Sequence, residues 1–150
     1  MTYGTLKSLT SGLLTGDNVL PKDEAALQGL VQYALTTVAM QADSLHLMTL
    51  STTADVLRLA QGDYLIRMPV APVFDEDLID IDEELTFAIA RYIASFVSRD
   101  KGGIHVQAAN RIILDYNAKT YEITDQMQVE AAEAGVADLA VSAVSTEWTL

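Results

Sequence analysis

From Leu85 to Val97 the apolar residues Leu85, Ala88, Ile89, Tyr92, Ile93, Phe96 and Val97 recur at intervals of one, three and four. That spacing draws one apolar face on an α-helix and none on a strand, so it predicts a central core helix. The helix is expected to close at Arg99, ahead of the Gly102-Gly103 pair. Whatever else the chain forms has to pack around this element.

A following helix is expected from about Ile104 into the 120s, with Ile104, Ala108, Ile112 and Tyr116 toward one side. The link DKGG is short, which makes the two an antiparallel pair. An earlier helix, from about Pro21 to Asp43, carries Leu27, Leu30, Val31, Ala34, Leu35, Val38 and Ala42 on one face. Pro21 suits a first helical position, and Asp23 and Glu24 put negative charge at the positive end of the helix dipole.

Between these helices, VLRLAQGDYLIRMP reads as two β-type runs about Gln61-Gly62. Pairing Leu59 with Tyr64 and Leu57 with Ile66 puts Leu57, Leu59, Tyr64, Ile66 and Met68 on one face, leaves Arg58 and Arg67 on the other, and needs a loop of two or four residues. Such a hairpin is marginal alone and must be supported by helices or a neighbouring subunit. The expected fold is therefore mainly α: a helical bundle with a small β-hairpin insertion, about 55–69, and an extended terminal arm. The N-terminal segment, 1–20, is weakened as a helix by Gly12 and Gly16, TGDN reads as a turn, and the segment is expected to be flexible. The body spans 21–124. The arm, 125–150, is Ala-, Val- and Ser-rich, is interrupted by Gly135, and ends on TEWTL. Trp148 there is either part of a frayed end or the anchor of an arm that docks elsewhere.

A chain of 150 residues, half of them apolar, suits one core. No run approaches the roughly 18 to 20 apolar residues of a membrane span, and MTYGTLKSLTSGLLTG lacks the apolar core of a secretory signal. An intracellular protein with no membrane partner is expected. Cysteine is absent, which removes disulfides, thiol nucleophiles and thiolate metal sites. The formal charge of -12, from 21 acidic against 9 basic residues, disfavours nonspecific nucleic-acid binding. Six acidic and no basic residues follow Lys119, so the end of the chain should be solvated or meet a basic partner.

FDEDLIDIDEEL, residues 74–85, holds seven carboxylates between Asp75 and Glu84. As a calcium loop it fails in both frames: a start at Asp75 puts Ile79 at the fifth position, and a start at Asp80 puts Leu85 where glycine belongs. As a catalytic pair it lacks any visible asymmetry that would push two carboxyl pKa values apart. It reads instead as a helix entrance, with Asp80 or Asp82 as cap, Glu83 three residues after Asp80 in a capping-box arrangement, and the rest favouring the dipole. His46 and His105 are too far apart to share a ligand spacing, and His105 is expected to cap or meet solvent. No phosphate loop is present. No catalytic residue, metal site or cofactor is therefore expected. Arg91, Arg99, Lys101 and Arg111 form a basic concentration around the link between the late helices, a solvated face or a counter-patch for the acidic stretch of another copy.

The order of elements, with YLIRMPVAP, then DEDLIDIDEEL, TFAIARYIASFVSRD and IHVQAANRIILDYN, resembles the head-to-tail connector, or adaptor, proteins of tailed bacteriophages over roughly Leu20 to Tyr121. The resemblance implies a non-enzymatic virion protein of the neck, made in the host cytoplasm. It implies a homo-oligomeric ring, commonly of twelve copies, between the portal protein and a tail or nozzle protein, with DNA only as cargo in the channel. Loops and a C-terminal arm make contacts between rings in such proteins; here the matching segments are Arg67 to Asp82 and Val136 to Leu150. The candidate partner-binding residues are Arg67, Asp75, Glu76, Asp77, Arg99, Lys101 and Trp148. Two other classes stay open: an acidic regulator or nucleic-acid mimic that binds a basic partner, and a small metal-dependent enzyme.

Overall fold

The computed structural model describes residues 1–43, 56–59 and 65–133. In chain order these form α1 (Tyr3–Leu13), α2 (Glu24–Gln41), β1 (Val56–Leu59), β2 (Leu65–Arg67), α3 (Glu83–Val97) and α4 (Gly102–Glu133). The protein is mainly α-helical, with one two-stranded antiparallel hairpin.

α3 is the centre of the bundle and packs against α1, α2 and α4. Its expected stripe is buried from Leu85 to Ile93, and Thr86, Ala90 and Ala94 are buried too because helices cover it on several sides. Phe96, at the end of the stripe, remains 40% exposed and is partly covered by Tyr33 of α2, edge-on with ring centroids 5.3 Å apart. α2 buries Leu27, Val31, Ala34, Leu35 and Val38 as expected, with Leu30 half-buried. It starts at Glu24 after Asp23, whose carbonyl accepts the Leu27 N–H at 3.1 Å, so Pro21 lies outside the helix. Its far end is closed from α4: Asn117 Oδ1 accepts the Asp43 N–H at 2.9 Å and Asn117 Nδ2 donates to the Gln41 carbonyl at 3.2 Å.

Four expectations are corrected. The segment 1–20 is expected to be flexible, yet α1 is a helix on α3 with Tyr3 and Leu6 fully buried. Thr2 caps it by accepting the Thr5 N–H at 3.2 Å, and the cost of Gly12 is outweighed by burial of two large side chains. The expected TGDN turn is present, with Gly16 at φ 64, a left-handed value that glycine adopts freely.

Over its first turns the face of α4 is turned by one residue from the expected stripe, with His105, Ala109 and Ile113 buried and Ile104 62% exposed, while Tyr116 is buried as expected. α4 starts hard against the end of α3, where a Cβ on Gly102 would lie 3.0 Å from the Ser95 carbonyl oxygen. α4 also continues through residue 124 to Glu133, so the first part of the expected arm is helix; 134–150, with Trp148, lies outside the described residues.

The hairpin exists in a different register. Leu59 pairs with Leu65 and Arg58 with Ile66, while Val56 pairs with Arg67, so a bulge falls at Leu57. Sixty to sixty-four, the tip with Tyr64, lies outside the described residues. The extra residue lets Leu57 and Ile66 both pack against the core, which a regular ladder in that register would prevent.

Candidate functional site

The segment between β2 and α3, residues 68–82, is an irregular loop with its backbone fixed from three sides. Pro69, Pro72, Ile79 and Ile81 are buried and anchor its two ends. From α2, the Gln32 amide works as a backbone mimic: its Nε2 donates to the Pro69 carbonyl and its Oε1 accepts the Ala71 N–H, both at 3.0 Å. From the hairpin, Arg67 makes a two-pronged contact with Asp80 at 2.5 and 2.6 Å, and Asp80 also accepts the Val70 N–H at 2.8 Å. From α1, the first backbone groups of the chain run alongside the loop: Tyr3 N donates to the Asp77 carbonyl at 2.8 Å, Gly4 N to that of Asp75 at 2.9 Å, and Ile79 N donates to the Met1 carbonyl at 3.0 Å. The start of α1 thus has its otherwise unpaired N–H groups satisfied by this loop.

Most of the seven carboxylates have separate structural tasks. Asp75 pairs with Lys7 at 2.5 Å, Lys7 lying also over the Tyr3 ring. Asp77 accepts the Phe74 N–H at 2.8 Å and the Val73 N–H at 3.0 Å, folding the loop tip on itself, and these two donors hold its pKa below the usual carboxylate value. Burial alone would raise the Asp80 pKa; the Arg67 guanidinium and the Val70 amide outweigh it, and the net shift is downward. Asp82 precedes α3 as its N-cap residue, but its side chain makes no capping bond; its carboxylate accepts the Tyr116 phenol instead. Glu83 contacts the Met1 amine, and Glu84 meets Lys119 at 3.4 Å. The expected capping box is therefore not formed, since Asp80 and Glu83 are both drawn to cations elsewhere. Glu76 is exposed and has no partner among the described residues.

With its backbone so held, the loop presents apolar side chains to solvent. Val70, Val73, Phe74 and Leu78 are 57 to 72% exposed. Exposed single hydrophobes are ordinary, but four on one fixed loop are an unusual concentration. The prolines and valines of PVAPVF obey neither helical nor strand period, and that aperiodicity, not the acids beside it, is the sequence signal for these residues.

The other candidates are distributed differently. Arg67 is committed to Asp80. Arg99 and Lys101 are exposed in the link 98–101, where Lys101 with Arg91 acts on His105. Arg91 is turned to His105 Nδ1 at 3.1 Å, and Arg111 faces Asp115 on its own helix at 3.7 Å. His105 is buried, where the expectation was that it would cap or meet solvent. Trp148 lies outside the described residues. Among the described residues no three His, Asp or Glu side chains form a group able to hold a metal ion, and no helix is long and apolar enough to cross a membrane. The chain matches no protein-family model, no curated protein and no solved structure.

Proposed function

We propose that this chain is a structural assembly subunit of the head-to-tail connector kind: copies form a ring, of twelve, that joins a portal protein to a tail or nozzle protein in the virion neck while DNA passes through. The observation that carries this reading is the loop 68–82, whose backbone is braced by α1, α2 and the hairpin while Val70, Val73, Phe74 and Leu78 stand in solvent. Bracing removes in advance the ordering entropy that a contact loop would otherwise lose on binding. Apolar side chains on such a support gain most when another protein covers them, and the adjacent Glu76 adds a charge that favours a basic partner. The overall charge of -12 fits a channel wall that repels duplex DNA and lets it slide.

Mass measurement of the purified chain, alone and after coexpression with a portal protein, tests the proposal. A ring, or a complex that retains the portal, is the expected result. A monomer that ignores the portal and binds a basic protein one to one would overturn it in favour of an acidic regulator.

A further inference from the structure

We propose that the loop 68–82 of one copy docks in the cleft between α1, α3 and α4 of the next, with Phe74 in the cleft and Glu76 against Arg91. The cleft has a volume of about 340 Å³ and is lined by Leu9 and Leu13 of α1, Glu84, Phe87 and Arg91 of α3, and Ile112 of α4. Phe87 is 47% exposed there, although α3 is the central helix of the bundle. Apolar walls with one guanidinium among them suit an aromatic side chain that brings a carboxylate with it. The loop carries that combination: Phe74 is 62% exposed, and Glu76, two positions on, is exposed and has no partner among the described residues. Arg91 gives one nitrogen to His105 Nδ1 at 3.1 Å, a neutral acceptor, so its charge and its other donors remain for a carboxylate. Glu84 does not cancel this attraction, because it faces Lys119 at 3.4 Å.

The loop does not serve the cleft of its own chain. Tyr3 and Gly4 hold the backbone of Asp77 and Asp75, Lys7 holds the Asp75 side chain, and in that position Phe74 stands in solvent and forms no part of the cleft wall. Knob and cleft therefore belong to one chain and meet between chains. Each copy offers one of each, so the contact runs head to tail, and it closes into a ring rather than a two-fold dimer. One loop and one cleft fall short of the roughly 20–30 residues a side of a standard interface, so an isolated pair is weak and closure, which gives every copy two contacts, stabilises the assembly. The inference rests on the reading of the loop as an assembly contact and names what that loop contacts.

Covalent capture suits a weak contact. The chain has no cysteine, so Gly12→Cys gives one labelling site next to Leu13 of the cleft, where a Cβ meets nothing within 4 Å. A benzophenone attached there should join two copies on irradiation, with the adducts mapping to residues 68–82 of the second copy. Phe74→Ser or Phe87→Asp throughout should each lower the yield by about tenfold. Mixing then reads the direction: a labelled chain with Phe74→Ser keeps its cleft, an unlabelled chain with Phe87→Asp keeps its loop, and the two should be captured one to one. The reverse arrangement, labelled Phe87→Asp with unlabelled Phe74→Ser, should not be captured. Glu76→Arg, on the exposed loop, should also lower the yield and decides the matter if Phe87→Asp does not fold. Absent adducts, adducts that map outside 68–82, a yield indifferent to Phe74→Ser and Glu76→Arg, or capture in the reverse arrangement would each overturn the contact. If the chain then still forms a ring or retains the portal, the assembly proposal stands and the contact alone falls; a monomer that ignores the portal removes both.

Discussion

The phenol of Tyr116 donates to the carboxylate of Asp82 across 34 positions of sequence, with both residues buried. This bond ties the middle of α4 to the residue that opens α3 and takes Asp82 away from the helix-capping role its position suggests. Tyr116→Phe deletes one donor to a buried carboxylate and should lower stability by about 1–3 kcal/mol in urea unfolding. Lys119→Ala, which removes the exposed contact with Glu84 one turn along, should change it by less than about 1 kcal/mol. Equal losses in the two variants would show that the Tyr116 bond has no special weight.

His105 Nδ1 lies 3.1 Å from a guanidinium nitrogen of Arg91. A guanidinium only donates, so Nδ1 accepts and the ring is neutral, with its proton on Nε2. Burial first, then the charges of Arg91 and Lys101, holds the His105 pKa below its ordinary 6.5. The unfolded chain therefore takes up a proton near that pH which the folded chain refuses, and stability falls as pH drops below it. The melting temperature should decline between about pH 7.5 and 5.5, and His105→Gln should flatten that decline. A slope unchanged by the substitution would assign the pH dependence to other groups.

Arg67 and Asp80 fasten the loop to the hairpin. Arg67→Ala should leave the helical signal intact and make cleavage within 70–78 by a broad-specificity protease several-fold faster. The Asp80 pKa lies below its ordinary 3.8, so the stabilisation from this pair is present above that pH and is lost as pH falls through the lower folded value. The stability deficit of Arg67→Ala should accordingly be largest near neutral pH and shrink toward about pH 2. A deficit that stays constant with pH would mean that the guanidinium acts by packing.

Loop carboxylates separate contact from scaffolding. Asp75 and Asp77 hold the loop together, whereas Glu76 has no partner among the described residues. Phe74→Ser with Glu76→Gln should alter stability by no more than about 0.5 kcal/mol and abolish ring or portal binding. Asp77→Asn should weaken assembly only in proportion to its disturbance of the loop, read by the same protease assay. Intact assembly in the Phe74, Glu76 double variant would remove the loop from the interface.

Gly102 stands where a Cβ would come within 3.0 Å of the Ser95 carbonyl oxygen. Gly102→Ala should cost about 1–3 kcal/mol, since backbone must move to relieve the clash. Gly103→Ala, with nothing near its Cβ, is the control and should be neutral or slightly stabilising. A neutral Gly102→Ala would show that the α3–α4 junction yields easily.

The sequence by itself determined the helices that carry a strong period. The stripe from Leu85 to Ile93 and that from Leu27 to Val38 are buried as their spacing requires, because a helical face with that much apolar surface has no favourable place except a core. It also located the TGDN turn, the antiparallel α3–α4 pair and a hairpin near 56–67. Contacts distant in sequence decided the rest. α1 is ordered by Tyr3 and Leu6 entering a core built from α3, which no local propensity of a Gly-containing segment can signal. The phase of α4 follows from its packing against α3, and the bulge at Leu57 from burial of Leu57 with Ile66. For the acidic stretch, sequence counted the carboxylates, but their partners Lys7, Arg67, Tyr116 and Lys119 lie on three other elements, α1, β2 and α4. Only the tertiary fold could distribute those charges, and in doing so it left the apolar side chains of the same loop facing outward.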